Sequence, residues 1–182
     1  DVGLSYSRCE FFRDSVNSGE VSHNKKVFPS SKSLPKERIV DELFVGNLIP
    51  FPSVLYKKDA LDTIGGVPEY KHPPDYYMSL AISLHWRVAP VDKVLCAYRL
   101  HQNNLSLSLK ESGYRESIDI VQRLAPVNRA ERIETYHRAR LIIYLILEKR
   151  WRDALREIYV VRFYGLFWGL VGIFRYKLKF SF

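Results

Sequence analysis

The spacing of apolar and polar positions changes rhythm along this chain, and each change marks an element. An apolar run from Val2 to Ser7 predicts a short buried strand. From Arg13 to Lys36, Ser, Asn and Lys dominate around two prolines. Such a stretch cannot bury enough apolar surface to order itself, and it reads as a long loop, either a flap over a substrate or an insertion. Leu34, Ile39, Val40, Leu43 and Phe44 return at helical spacing, with Gly46 placed as a C-terminal cap. Ser53 to Lys57 then reads as a strand, and Lys58 to Ile64 as a short helix closed by Gly65-Gly66. Adjacent glycines permit positive φ and close backbone approach; a plain tight turn would use them equally well.

Pro73 and Pro74 bar the chain from helix before Asp75 and let one start there. Tyr77, Leu80, Ala81 and Leu84 form the stripe that pins this helix to the core. Trp86 to Val91 and Asp92 to Arg99 follow as two strands, with Val94, Cys96 and Tyr98 alternating against Leu95, Ala97 and Arg99. From Glu111 the texture is helical. Tyr114 to Leu124 ends at Ala125-Pro126, Asn128 caps a longer helix to about Arg150, and a third starts near Arg152-Asp153. In that third helix Asp153, Ala154, Leu155 and Ile158 suggest packing on its predecessor. Phe163 to Phe174 is uncharged and bracketed by Arg162 and by Arg175, Lys177 and Lys179. It falls short of the roughly 20 apolar residues of a spanning helix. An interfacial helix fits it better; burial against the other tail helices and a tilted span stay open.

Composition narrows these choices. A chain of 182 residues, 47% hydrophobic and 14% aromatic, can fill the core of one domain with a helical appendage, and a division at 1–109 and 110–182 follows from the change of texture. The net charge of +8 is unevenly placed. Residues 1–109 carry 13 Lys+Arg against 12 Asp+Glu, whereas residues 110–182 carry 15 against 8, a net of +7. A basic tail points to an anionic surface such as a lipid headgroup layer. Nucleic acid is disfavoured, because the tail aromatics form an apolar block and do not interleave with the cations. Cys9 and Cys96 show neither metal-ligand spacing nor a disulfide framework, which favours a reducing, cytoplasmic setting with Cys96 as a small buried hydrophobe. The opening Asp1-Val2-Gly3-Leu4 has no Met and no secretory segment, so the start is expected to be missing.

Three residues carry candidate chemistry. Asp75 at a helix start is an N-cap, a fixed carboxylate able to take a proton, or both. An extended chain through position 101 would set Arg99 and His101 on one side, a cation and an imidazole suited to a diphosphate. A salt bridge for Arg99 and a plain strand-end role for His101 are the ordinary alternatives. Asn103, Asn104 and Ser106 would satisfy a turn.

Taken together, Asn47-Leu48-Ile49, Lys57-Lys58, Gly65-Gly66-Val67-Pro68-Glu69, Pro74-Asp75 and the Tyr98-to-Ser106 run resemble, in order and spacing, the acceptor-side half of family 2 glycosyltransferases. The resemblance implies an α/β fold, the mixed-sheet half of a Rossmann-like GT-A domain followed by an α-helical appendage. It implies inverting transfer from a nucleotide-sugar donor to a saccharide or lipid-linked acceptor, as in polysaccharide biosynthesis, at the inner face of the cell membrane. Asp75 corresponds to the catalytic base, with Pro74 standing where the family has another acid. Arg99, His101, Asn47, Gly65 and Gly66 become substrate-binding candidates, and His101 also a candidate metal ligand. Family members bind a divalent ion, Mg or Mn, through an Asp-x-Asp motif in the donor-binding half. This sequence contains no such motif, so the chain alone is expected to lack donor binding. A non-catalytic module that docks on a membrane or a partner through its tail is the other class.

Overall fold

The structure, a computed structural model, describes residues 1–13, 26–28, 36–100, 104 and 111–161. The chain divides into two compact units, Asp1–Glu69 with Pro74–Ser108, and Tyr70–Pro73 with Leu109–Phe182. The first is mixed α/β; the described part of the second is helical.

The first unit is built on one long strand, β1 (Val2–Arg13). It outruns the expected Val2–Ser7 because the polar positions beyond Ser7 pair with neighbouring strands and do not leave the sheet. β2 (Lys26–Phe28) and β3 (Val54–Tyr56) both pair antiparallel with β1, at Cys9–Phe11 and Leu4–Tyr6 respectively. β4 (Arg87–Leu100) pairs parallel to β1 along its whole length. A strand has two edges, so β2 and β3 share the edge that β4 leaves, end to end. β2 corrects the reading of 13–36 as loop throughout, since three of its residues find ladder partners on β1. β4 is one strand where two were expected. Its register against β1 shifts between Ser7 and Arg8 and again between Arg8 and Cys9, and these irregularities absorb the polar break at Asp92 and Lys93. Exposed Pro90 is tolerated because β4 pairs with β1 alone among the described residues.

The helices between the strands run α1 (Lys36–Val45), α2 (Lys58–Thr63) and α3 (Pro74–His85). Gly46 is not a left-handed cap: its N–H donates to the Glu42 carbonyl at 3.2 Å, and positive-φ glycines among the described residues are Gly65 and Gly66. α3 departs most from expectation. Tyr76, Met78, Ser79, Leu80, Ala81, Ile82 and Ser83 are all buried, so the helix is wrapped by the unit and has no single core stripe. Its two buried serines are satisfied, Ser83 by donating to the Leu80 carbonyl at 2.7 Å and Ser79 by pairing with the Tyr56 hydroxyl at 3.2 Å. Gly3 permits the close meeting of β1 with the end of this helix, because a Cβ there would lie 2.3 Å from that of Trp86.

Cys9 and Cys96, distant in sequence, are register partners across the parallel ladder, and both are free thiols. Burial first, then the neighbouring Cys96 thiol, push Cys9 up to about 12.

In the second unit, α4 (Glu111–Leu124), α5 (Ala130–Leu147) and α6 (151–161) follow one another. The expected cap at Asn128 falls in the turn before α5, whose N-cap is Arg129. Ile118, Leu141, Leu145 and Ala154, one or more from each helix, form the core, with Tyr114 and Tyr144 against it. Residues 70–73 belong here: the Tyr70 hydroxyl donates to Asp119 at 2.6 Å and the His72 N–H to Glu116 at 3.0 Å. The packing face of α6 is Ala154, Glu157 and Val161; Leu155, expected inside, is exposed. Buried Glu157 accepts from Arg115 of α4 at 3.0 Å and Arg138 of α5 at 2.7 Å, joining the three helices. Phe163 to Phe174 lies outside the described residues. Among those described, no helix is long and apolar enough to cross a membrane.

Both α2 and α5 end in the same motif. The Gly66 N–H reaches the Leu61 carbonyl at 2.8 Å and the Gly65 N–H that of Asp62 at 3.2 Å; at α5, the Arg150 N–H reaches Leu145 at 2.8 Å and the Lys149 N–H reaches Ile146 at 3.0 Å. The reversing residue is Gly65 (φ 82) in the first case and Lys149 (φ 59) in the second. A side chain in the left-handed region costs about 1 kcal/mol relative to glycine. Lys149→Gly is therefore expected to stabilise the second unit by up to about 1 kcal/mol in denaturant melts, and Gly65→Ala to destabilise the first by a similar amount. Removing the acceptor shared by two guanidiniums, Glu157→Ala, should cost about 2 kcal/mol in the same assay, less than for a fully buried pair because Arg115 can turn to water.

Candidate functional site

The residue to which the sequence points, Asp75, is the second residue of α3 and sits on its first turn. Pro74 begins the helix because its missing N–H has no partner to lose there. The half-buried Asp75 carboxylate accepts from the Asn47 side-chain amide at 2.6 Å and from the backbone N–H groups of Tyr76 and of Asp75 itself. The amide of Asn47 is oriented in turn, since its Oδ1 accepts the Ile49 N–H at 3.3 Å and so directs Nδ2 at Asp75. Burial is the largest influence on Asp75 and raises its carboxyl above the usual range; the Asn47 amide and the two N–H groups pull it back without cancelling the rise. Such a carboxyl is a stronger base than an exposed aspartate.

One helical turn on, Ser79 lies on the same face of α3 and pairs with the Tyr56 hydroxyl. The negative charge of Asp75 is felt at that phenol. Burial raises the Tyr56 hydroxyl first, the Ser79 bond opposes the rise, and Asp75 adds to it. Asp75, Asn47, Ser79 and Tyr56 thus form one polar column, of which sequence reasoning named only the first two. The four-residue spacing from Asp75 to Ser79 was the available signal.

The remaining candidates fare differently. Gly65 and Gly66 adopt positive φ, but a Cβ on either would meet nothing within 4 Å, so it is φ and not close approach that selects glycine. Lys57 pairs with Asp59 at 3.2 Å and lies 4.8 Å from the Trp86 ring centroid, while Lys58 pairs with Asp62 at 2.6 Å. Both cations are engaged locally. Arg99 is exposed on β4, its carbonyl accepting from buried Asn104 at 3.2 Å; the same amide reaches the Tyr98 hydroxyl at 3.0 Å. Asn104 is thus tied back to the end of β4. No ion pair links Asp75 to Arg99. His101, with Asn103 and Ser106, lies outside the described residues.

The divalent ion implied by the resemblance does not find a donor set in the described part of the chain. Among those residues no three His, Cys, Asp or Glu side chains come together to hold a cation, and Asp75 faces an amide donor where further oxygen ligands would be needed.

No family model matches the chain, and no curated protein or solved structure matches it. The resemblance to family 2 glycosyltransferases rests on the motifs and their order alone.

Because the folded-state value of Asp75 lies above its unfolded value, its charge opposes folding. That penalty is absent below the ordinary carboxylate range, grows as pH rises toward the folded value, and is complete above it. Asp75→Asn should remove it, so the stability gap between variant and wild type should widen with pH across that window and then level. Asn47→Ala, which deletes an opposing hydrogen bond, should steepen the wild-type dependence. Parallel stability curves for all three proteins in melts at stepped pH would contradict this account of the site.

Proposed function

We propose that this chain is the acceptor-side portion of an inverting glycosyltransferase of the family 2, GT-A type. In this reading Asp75 takes the proton from an acceptor hydroxyl as that oxygen attacks the anomeric carbon of a nucleotide-sugar. The bond to the donor's diphosphate breaks, and the nucleoside diphosphate leaves with the bonding electrons. Arg99 and His101 receive the charge that develops on it. The acceptor is a saccharide or a lipid-linked hydroxyl at the cytoplasmic face of a membrane, the partner suggested by the basic second unit.

The observation that carries the reading is the setting of Asp75. Its carboxyl is raised by burial, aimed by an amide that is itself held, and seated on a helix buried on almost every side. Positioning of that kind suits general-base catalysis, which demands a fixed geometry before a suitable pKa. The α/β unit with its parallel β1–β4 pair is compatible with the acceptor half of a GT-A domain.

A second reading, a non-catalytic binding module, has one observation in its favour: the hydrogen bonds to Asp75 come from its own helix terminus and from Asn47, as they would at a purely structural carboxylate.

Transfer assays with a panel of nucleotide-sugars, on the polypeptide that carries this chain, separate the two. Asp75→Asn should lower turnover by roughly a hundredfold to ten-thousandfold while leaving donor affinity unchanged. Wild-type turnover by that variant would remove Asp75 from the mechanism, and no transfer from any donor would favour the binding module.

A further inference from the structure

The solvent face of α6 has the wrong composition for water. Its exposed positions are Trp151, Arg152, Leu155, Arg156, Tyr159 and Val160, and none is acidic. Trp151, Leu155 and Tyr159 recur every four residues and are 58%, 63% and 88% exposed. A surface helix ordinarily turns such residues inward and shows charged groups of both signs outside. Here the acids face the other way. Glu157 is buried between Arg115 and Arg138, and half-buried Asp153 is bonded to Arg150. Arg152 has no anionic partner among the described residues, and Arg156 only a loose one, 3.7 Å from Asp153.

We infer that this face of α6 is a docking surface for an anionic lipid bilayer, with the helix lying flat in the headgroup layer. Trp151, Leu155 and Tyr159 enter the acyl boundary, where an apolar body with a polar rim is favoured, and Arg152 and Arg156 meet lipid phosphates. Charge selects this occupant. The part of the chain after residue 109 has a net charge of +7, which draws it to a negative surface. A second copy set face to face would oppose arginines with arginines, and the patch has no acid to relieve them. The inference refines the membrane side of the reading above. Vesicle binding needs no donor sugar, so its failure would leave the role of Asp75 intact, and an inactive Asp75 would leave the docking face intact.

The test uses the full chain in co-sedimentation with phosphatidylcholine vesicles, with and without phosphatidylglycerol. Binding is expected to require the anionic lipid and to weaken as salt is raised. Combined Trp151→Ser, Leu155→Ser and Tyr159→Ser should lower partitioning roughly a hundredfold. Arg152→Gln with Arg156→Gln should lower it roughly tenfold to thirtyfold on anionic vesicles and leave neutral ones unaffected. All five positions are exposed, so an unchanged far-UV spectrum and melt should accompany both variants. Three results would overturn the inference: both variants binding like wild type, equal affinity for neutral vesicles, or a lipid-free dimer in light scattering that the triple variant abolishes.

Discussion

The first unit depends on the parallel pairing of β1 with β4. Parallel neighbours cannot be joined by a tight turn, so the chain between them must leave the sheet and return. On that excursion it forms β2, α1, β3, α2 and α3 and closes a contact between Ser5 and the Ala89 carbonyl, 84 residues apart, at 2.9 Å. The junction is tightened at β1's start, where the Arg87 N–H reaches the Asp1 carbonyl at 3.2 Å and the Lys57 N–H reaches that of Gly3 at 2.8 Å. Glycine at position 3 is what allows Trp86 to come so near. That ladder supplies one side of the packing around α3, with α1 and α2 supplying others.

The burial of α3 in turn gives Asp75 its character. A helix with one wet face could let its first turn fray and its carboxylate seek water; this one is held by buried residues from Tyr76 to Ser83. The carboxyl cannot escape partial desolvation, and its hydrogen bonds offset only part of the cost. The polar column of Asp75, Asn47, Ser79 and Tyr56 therefore follows from packing as much as from chemistry.

What was legible in the sequence, and what was not, follows the range of the forces involved. The local elements were readable: the helix that starts after Pro73, the glycine pair that ends α2, and the turn at Pro126 are all set by residues within a few positions. Asp75 and its place at a helix start were legible for the same reason. The extension of β1, the three-residue β2 and the continuity of β4 were not, because each depends on a partner strand whose identity is fixed only by the fold. The hydrogen bond from Asn47 to Asp75 and the thiol neighbours Cys9 and Cys96 join positions far apart in sequence, beyond any spacing rule. The exposure of Leu155 on α6 was hidden for a different reason. Leu155 looks like a core residue by composition, but the buried face is taken by Ala154 and Val161 together with Glu157, which pairs with two arginines.

The arrangement of partners around β1 has one more consequence. On one edge β3 covers Leu4–Tyr6 and β2 covers Cys9–Phe11, so Ser7 and Arg8 fall at the seam between them; on the other edge the β4 register slips at the same two residues. Ladder hydrogen bonds are thus weakened on both sides of the strand at one point. The pairing divides the sheet into two short blocks in series, an inner one packed under α3 and an outer one closed by β2 and the far half of β4. Thermal opening of the outer block can stop at this seam without loosening the inner one, so the strand that looks most continuous in the fold is also where its cooperativity divides.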